Sequence, residues 1–132
     1  MLAPLMARSP RRLLLAGAAA LALAGCGEQG IQLAEDDPNY QGARIFNENC
    51  AGCHTLDAVG ATGSAVDPGS RERRDGPNFN ERRESVEDVL FAIRNGGFSS
   101  GPMPQNIVTG EEAQAVAEFV ARYAGRSEAG SE

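Results

Sequence analysis

The stretch Cys50-Ala51-Gly52-Cys53-His54 holds two of the three cysteines and the only histidine of the 132-residue chain. Positions 50, 53 and 54 are spaced i, i+3 and i+4, so within one helical turn both sulfurs and the imidazole project to the same side. C-x-x-C-H is the known attachment sequence of c-type haem, in which the two thiols bond to the haem and the imidazole binds the iron. The stretch therefore predicts one haem c, attached covalently through Cys50 and Cys53, with His54 as a ligand of the iron.

Two other chemistries use closely spaced cysteines. A redox-active C-x-x-C pair is expected near a βαβ pattern, and a zinc site needs a fourth ligand and usually a second cysteine pair. The sequence shows neither a second cysteine pair nor a βαβ pattern. Both chemistries remain alternatives, and the motif favours haem attachment.

Residues 1–25 have the pattern of an export signal. Arginines precede an eleven-residue apolar run at 13–23, which as a helix would span about 16 Å of a hydrocarbon core of roughly 30 Å. A cleaved signal fits this length better than a membrane span. The stretch Leu23-Ala24-Gly25-Cys26 resembles the bacterial lipoprotein signal box, which implies cleavage before Cys26 and lipid on that residue. The alternative is an uncleaved anchor in which Cys26 is incidental.

The resemblance implies a lipid-anchored protein on the extracytoplasmic, periplasmic side of a bacterial cell membrane. Residues 26–37 then form the lipidated Cys26 and a flexible tether, because 27–37 has no apolar periodicity and four acidic residues. The polar residues 126–132 are predicted to be a disordered tail. One lipid and two thioethers would account for all three cysteines.

The charge of the chain argues against nucleic acid as a partner. The whole sequence has a net charge of −6 and no lysine, and removal of 1–25 leaves nine arginines against 18 acidic residues, a net charge of −9. A chain this acidic repels a phosphate backbone.

Between tether and tail, residues 38–125 are predicted to form one domain with three helices. The first begins at Asp37-Pro38 and leads into the haem motif. The second begins at Ser85 and ends at Asn95-Gly96-Gly97, and the third runs from Thr109 to Gly125. Each has apolar residues at helical spacing, and no segment alternates like a strand. These apolar residues are Tyr40, Ala43 and Phe46 in the first helix, Val86, Val89, Leu90 and Ile93 in the second, and Val116, Phe119, Val120 and Tyr123 in the third.

A long segment, Thr55 to Glu84, has only scattered apolar side chains. A structureless loop of this length is unusual in a small domain, and three short helices bury little surface on their own. A large bound cofactor would supply the missing core.

Elimination suggests the second ligand of the iron. After signal removal Met103 is the only methionine, and it lies between Pro102 and Pro104, which present it from a stiff loop. His54 and Met103 are therefore the predicted metal ligands. The alternative for Met103 is a gap-filling core residue.

With these features the domain resembles the class I cytochromes c across nearly its whole length. The resemblance rests on the helix ending in the haem motif, the stretch Gly76-Pro77-Asn78, the methionine loop and an aromatic C-terminal helix. It implies an all-α fold of three to four short helices with long loops around a covalent haem. It also implies that the Pro77 carbonyl accepts a hydrogen bond from His54, and that Gly42 and Phe46 cross Val120 and Tyr123 of the last helix.

The sequence departs from the family in two places. The segment 58–75 is longer than expected in a compact bacterial member. The lysines with which mitochondrial members dock are absent, although five arginines lie close together, at positions 71, 73, 74, 82 and 83. These arginines could form a docking or propionate-binding patch, and an ordinary solvated loop of mixed charge is the alternative.

The resulting hypothesis is a monomeric electron carrier rather than an enzyme. Histidine and methionine together would fill both axial positions and raise the reduction potential. The expected partners are a quinol-oxidising complex as donor and a terminal oxidase or another reductase as acceptor. One alternative is a haem enzyme or gas sensor with an open iron site, and another is a fixed subunit of a larger complex.

Overall fold

The computed structural model describes residues 30–65, 69, 71–72 and 75–126. The predicted signal, Cys26 and residues 127–132 lie outside this described part. In chain order its elements are α1 (Tyr40–Asn49), β1 (Thr55–Leu56), a 3₁₀ turn (Asp57–Val59), β2 (Ala61–Thr62), α2 (Val86–Asn95) and α3 (Gly110–Tyr123). The predicted all-α fold with three short helices is confirmed. None of the described helices is long and apolar enough to cross a membrane.

Helix α3 packs against both α1 and α2 and forms the centre of the core. At its crossing with α1, Gly42 is buried, and a Cβ on residue 42 would collide with the Ala115 carbonyl oxygen and lie 2.7 Å from the Phe119 Cβ. The Phe46 and Phe119 rings meet edge to face, with centroids 5.7 Å apart. Gly42 and Phe46 thus lie at the crossing as predicted. The residues nearest to Gly42 are Ala115 and Phe119, about one turn before the expected Val120 and Tyr123.

The start of α1 differs from the sequence prediction. The helix begins at Tyr40, and its N-cap Asn39 makes no side-chain capping bond. The Asp37 carboxylate instead accepts hydrogen bonds from the Asn39 backbone N–H at 2.7 Å and from the Tyr123 hydroxyl at 3.1 Å. Asp37 therefore holds the turn that precedes α1 and ties it to the end of α3, which a sequence pattern cannot show.

The other two helices begin where the sequence predicts, with different capping. The Ser85 hydroxyl accepts a hydrogen bond from the Asp88 backbone N–H at 3.1 Å. Thr109 precedes α3 without a side-chain capping bond. Gly96 ends α2 with φ = 73°, a left-handed conformation that favours glycine.

Part of the predicted long loop is ordered and contributes to the core. Strands β1 and β2 pair antiparallel, with Thr55 opposite Thr62. Within this hairpin Leu56, Val59 and Ala61 are buried. The strands are only two residues long, so their alternation is too short to be recognised in the sequence.

Residues 30–37, which we call the N-terminal strap, lie against the domain. The Gln32 backbone N–H donates to the Ala58 carbonyl at 3.0 Å, and the Gln32 side-chain amide donates to the Asp57 carbonyl at 2.9 Å. Ile31 and Leu33 are half-buried against the core. The part of the predicted tether that the structure describes is therefore docked on the 3₁₀ turn.

Candidate haem site

A largely apolar cavity of about 720 Å³ opens between the CAGCH turn and the methionine loop. Its walls include Cys50, Cys53, His54, Pro77 and Met103. The structure therefore brings together every predicted site residue except Cys26, which lies outside the described part. Apolar residues from all three helices and from the loop before α3 complete the walls: Phe46, Val89, Ile93, Ile107, Val116 and Val120.

The CAGCH stretch extends α1 by one turn. The Cys50 backbone N–H donates to the Phe46 carbonyl at 2.7 Å, and the His54 N–H donates to the Cys50 carbonyl at 3.0 Å. The second bond is the i to i+4 bond of a helical turn, so the predicted geometry of the motif is confirmed. Both sulfurs and the imidazole consequently face the same cavity.

The His54 ring is buried and held by a backbone carbonyl. His54 is 9% exposed, and its Nδ1 lies 3.1 Å from the Pro77 carbonyl oxygen. The Nδ1–H therefore donates to this oxygen, and Nε2 is the nitrogen left to bind a metal. Burial lowers the pKa of His54. The bond to Pro77 opposes this shift, and the Arg82 charge adds to it. A lowered pKa favours the neutral imidazole, which is the form that binds iron.

The Phe79 ring packs against the face of the His54 imidazole. The Phe79 and His54 rings are stacked, with centroids 4.6 Å apart and planes 11° apart. Phe79 also meets Phe46 edge to face at 6.0 Å. The sequence analysis missed Phe79, whose only signal is an aromatic residue directly after the Gly-Pro-Asn stretch.

Gly76 begins the Gly-Pro-Asn stretch, and the structure shows why this residue is glycine. A Cβ on residue 76 would lie 2.6 Å from Nδ1 and 2.8 Å from Nε2 of His54. The Gly76 backbone N–H donates to the Cys53 carbonyl at 2.6 Å. The chain at 76–77 therefore touches the flat face of the imidazole, and a side chain has no room there.

A reciprocal pair of hydrogen bonds fixes the chain just after His54. The Thr55 N–H donates to the Ser64 hydroxyl and the Ser64 N–H donates to the Thr55 hydroxyl, each at 3.0 Å. Ser64 is buried, so these bonds satisfy groups that would otherwise be costly to bury. They close the base of the hairpin at the residue that follows His54.

Met103 reaches the cavity from the loop after α2. Met103 is half-buried, and a Cβ added to Gly97 would lie 3.9 Å from the Met103 sulfur. The Asn106 N–H donates to the Ile93 carbonyl at 2.7 Å and closes this loop onto α2. Met103 is therefore held at the cavity wall, as the flanking prolines predicted.

The Cys50 thiol does not have the character of a redox-active thiol. Burial raises the pKa of Cys50 to about 12, and the neighbouring Cys53 adds to this shift. Catalytic dithiols need the opposite, a lowered pKa that supplies thiolate. In the described residues no cluster of three or more His, Cys, Asp or Glu could hold a metal ion, which leaves the zinc alternative without a ligand set there.

The five arginines at positions 71, 73, 74, 82 and 83 do not form one patch in the described residues. Arg71 and Arg82 line the cavity, whereas Arg83 packs at Gly125, and positions 73 and 74 lie outside the described residues. Arg82 forms an ion pair with Glu84, whose side chain is 8% exposed. Three further acidic residues share the cavity wall: Glu72, Asp75 and Asp88.

The donor set fits a covalent haem. Two thiols and a neutral imidazole on one turn, with a thioether on the wall of the same apolar cavity, are the groups that attach and ligate a c-type haem. The cavity volume is in the usual range for cofactor sites, about 300–1,000 Å³.

Comparison with known proteins agrees with this chemistry. Residues 38–120 match the family described as cytochrome c oxidase, cbb3-type, subunit III. The chloroplastic cytochrome c6 of Chlamydomonas reinhardtii is 32% identical over 85 residues, which cover 63% of this chain and 53% of that protein. The crystal structure of the c-type cytochrome SorU from Sinorhizobium meliloti is similar, with a TM-score of 0.53 and 38% identity, and the match covers 69% of this chain and 95% of that one.

The family match covers most of this chain. The matched residues, 38–120, include the CAGCH turn, Pro77 and Met103. The cysteine spacing, the structural neighbour and the cavity lead to the same assignment. The chain belongs to the cytochrome c family and is a class I monohaem cytochrome c that carries covalently bound haem c.

Proposed function

We propose that this protein is a membrane-tethered carrier of single electrons between respiratory-chain partners. Its donor is a quinol-oxidising complex and its acceptor is a terminal oxidase or another reductase. The observation that carries the proposal is that His54 and Met103 line one cavity. Bound haem supplies reversible one-electron chemistry. His54 and Met103 would together hold the iron and leave no position on it for a substrate, which supports a carrier rather than an enzyme.

The surrounding residues hold the site rigid. The Pro77 carbonyl and the Phe79 ring fix the rotation and tilt of His54, at 3.1 Å and 4.6 Å respectively. The thiols of Cys50 and Cys53 form the covalent attachment. Apolar side chains from the three helices line the cavity, which makes the site less polar than water and favours a stable pair of iron ligands.

The optical spectrum of the mature protein tests this ligation. The oxidised protein is expected to show a sulfur-to-iron charge-transfer band that Met103→Ala abolishes, and the reduced parent is expected not to bind carbon monoxide. No such band, with ready carbon monoxide binding, would instead establish an open iron site and turn the search to gases and peroxide.

The membrane anchor is supported by the sequence before the described residues. The apolar run at 13–23 and the Leu-Ala-Gly-Cys stretch ending at Cys26 are the pattern of a lipoprotein signal, and acyl chains on Cys26 would hold the domain at the periplasmic surface. Cys26→Ala tests the anchor: the haem protein should move from the membrane fraction to the soluble fraction. Retention in the membrane by this variant would refute a lipid anchor at Cys26.

A second candidate comes from the family description, which names a subunit of an oxidase. In that case the domain passes electrons within one complex rather than moving between complexes. Purification in mild detergent separates the two functions. Release of a monomer supports the carrier, and co-purification with a large haem complex supports the fixed subunit.

A further inference from the structure

The wall of the cavity includes a buried carboxylate, that of Glu84, which has no role in the proposed haem attachment or iron ligation. The Glu84 side chain is only 8% exposed, and it lies on the wall that His54 and Met103 also line. Its partner is the Arg82 guanidinium, whose side chain is 50% exposed. A carboxylate is rarely buried without such a partner, because its desolvation is costly.

The two charges of this pair are screened unequally. Water reaches half of the Arg82 side chain, and water reduces the field of a charge strongly. Glu84 is shielded from water, so its negative charge acts on the cavity through a medium of lower polarity. The Glu84 carboxylate therefore opposes the positive charge of Arg82 from inside the cavity.

We propose that the Glu84 carboxylate, partly balanced by Arg82, lowers the reduction potential of the haem. This inference rests on the proposed one-electron function. Oxidation of the haem removes an electron and leaves one more positive charge on the iron. A nearby anion stabilises that oxidised state, and charge and burial are among the properties by which a protein sets a haem potential.

The test is the midpoint potential of Glu84→Gln, measured by redox titration of the purified holoprotein. Glutamine keeps the size of the side chain and removes the charge, so the potential should rise. The matched control is Glu81→Gln, because Glu81 is exposed, lies three residues earlier and is absent from the cavity wall. Equal potentials in the two variants would overturn the proposal.

Ionic strength gives a second criterion. The screening length falls from about 10 Å at 0.1 M salt to about 3 Å at 1 M, and buried charges are screened much less than exposed ones. The rise caused by Glu84→Gln should therefore persist at high salt. A shift that disappears at 1 M salt would contradict an effect exerted from inside the cavity.

A purely structural effect would change the potential in the opposite direction. Methionine ligation raises a haem potential, so a variant that lost Met103 from the iron would show a lower potential and no charge-transfer band. A higher potential with the band intact therefore identifies electrostatics. If the parent itself lacks the band, the proposed ligation fails, while the difference between Glu84→Gln and its parent still tests Glu84.

Removing Glu84 alone leaves Arg82 unpaired, which could prevent accumulation of the holoprotein. The double variant Arg82→Gln/Glu84→Gln removes both charges. Removal of the Arg82 cation acts in the opposite direction to removal of Glu84, so the potential of the double variant should lie below that of Glu84→Gln. A double variant whose potential equals or exceeds that of Glu84→Gln would overturn the proposal.

Discussion

The backbone at Gly76 lies so close to the His54 imidazole that a Cβ on residue 76 would be 2.6 Å from Nδ1. Gly76→Ala should therefore push the ring away from the Pro77 carbonyl and reduce the yield of correctly ligated holoprotein several-fold. Absorbance per mole of purified protein measures this yield. Gly52→Ala is the control within the motif, since its Cβ would meet nothing within 4 Å. Equal yields from the two variants would refute the role given to Gly76.

Phe79→Leu should loosen the His54 ring without opening a large cavity. Loss of the stacked pair should cost about 1 kcal/mol of unfolding free energy beyond the change in buried area. Guanidinium unfolding of the holoprotein measures it. Phe91→Leu is the comparison, because Phe91 also stacks on a ring, that of Phe98, but is 49% exposed. A loss at Phe79 no larger than at Phe91 would contradict a supporting role for the stack.

Gly42→Ala tests the crossing of α1 and α3. Alanine improves helix propensity by about 1 kcal/mol, but its methyl group would collide with Ala115 and Phe119, and overpacking costs about 1–3 kcal/mol. We therefore expect a lower midpoint of thermal unfolding. Asn47→Ala, at an exposed position of the same helix, should leave the midpoint unchanged or raise it. A stabilised Gly42→Ala protein would show that the helices can move apart at no cost.

The bond between Tyr123 and Asp37 predicts a pH-dependent contribution to stability. The backbone N–H of Asn39 is the main group that lowers the pKa of Asp37, whereas burial raises the pKa of Tyr123, helped by Asp37. The contribution of Asp37 is present above its unfolded pKa, near 3.8, and is lost as the pH falls through the lower folded value. The contribution of Tyr123 is present below its unfolded pKa, near 10, and is lost as the pH rises through the higher folded value.

The measurement for this bond compares the parent with Tyr123→Phe across pH. The difference in unfolding free energy should be constant between about pH 5 and 9 and should shrink towards both extremes. A difference that stays flat from acid to strong alkali would show that the bond contributes nothing.

The capping of α2 and α3 offers a matched pair of substitutions. Ser85→Ala removes a hydroxyl that accepts the Asp88 N–H and should cost about 1 kcal/mol of unfolding free energy. Thr109→Ala removes a hydroxyl that makes no capping bond and should cost less. Chemical denaturation distinguishes them, and equal losses would mean that the Ser85 bond is not formed in solution.

The site was predictable where its chemistry is local in sequence. Cys50, Cys53 and His54 lie within one turn, so their spacing alone placed them on one side. Met103 was predicted by elimination and Pro77 by resemblance, and both lie on the cavity wall. The roles of Phe79 and Gly76 were missed. Both residues act by contacting the His54 ring, and residue spacing in the sequence does not show which residues pack against that ring in the folded chain.

The fold was predictable for similar reasons. The three helices carry long apolar patterns and clear end signals, and all three are present. The hairpin is too short to show a period. The N-terminal strap has only two large apolar residues, Ile31 and Leu33. Its docking depends on carbonyl groups of the 3₁₀ turn, which take up their positions only in the folded chain.

The docked strap also limits how far the domain can travel. As a free chain, residues 27–37 would reach at most roughly 37 Å from Cys26. The first strap residue that contacts the domain is Ile31, so a lipid on Cys26 would be joined to the folded body by four residues, which span at most about 17 Å. Partners would then have to come to the domain by lateral diffusion in the membrane plane, which favours membrane-embedded partners over distant soluble ones.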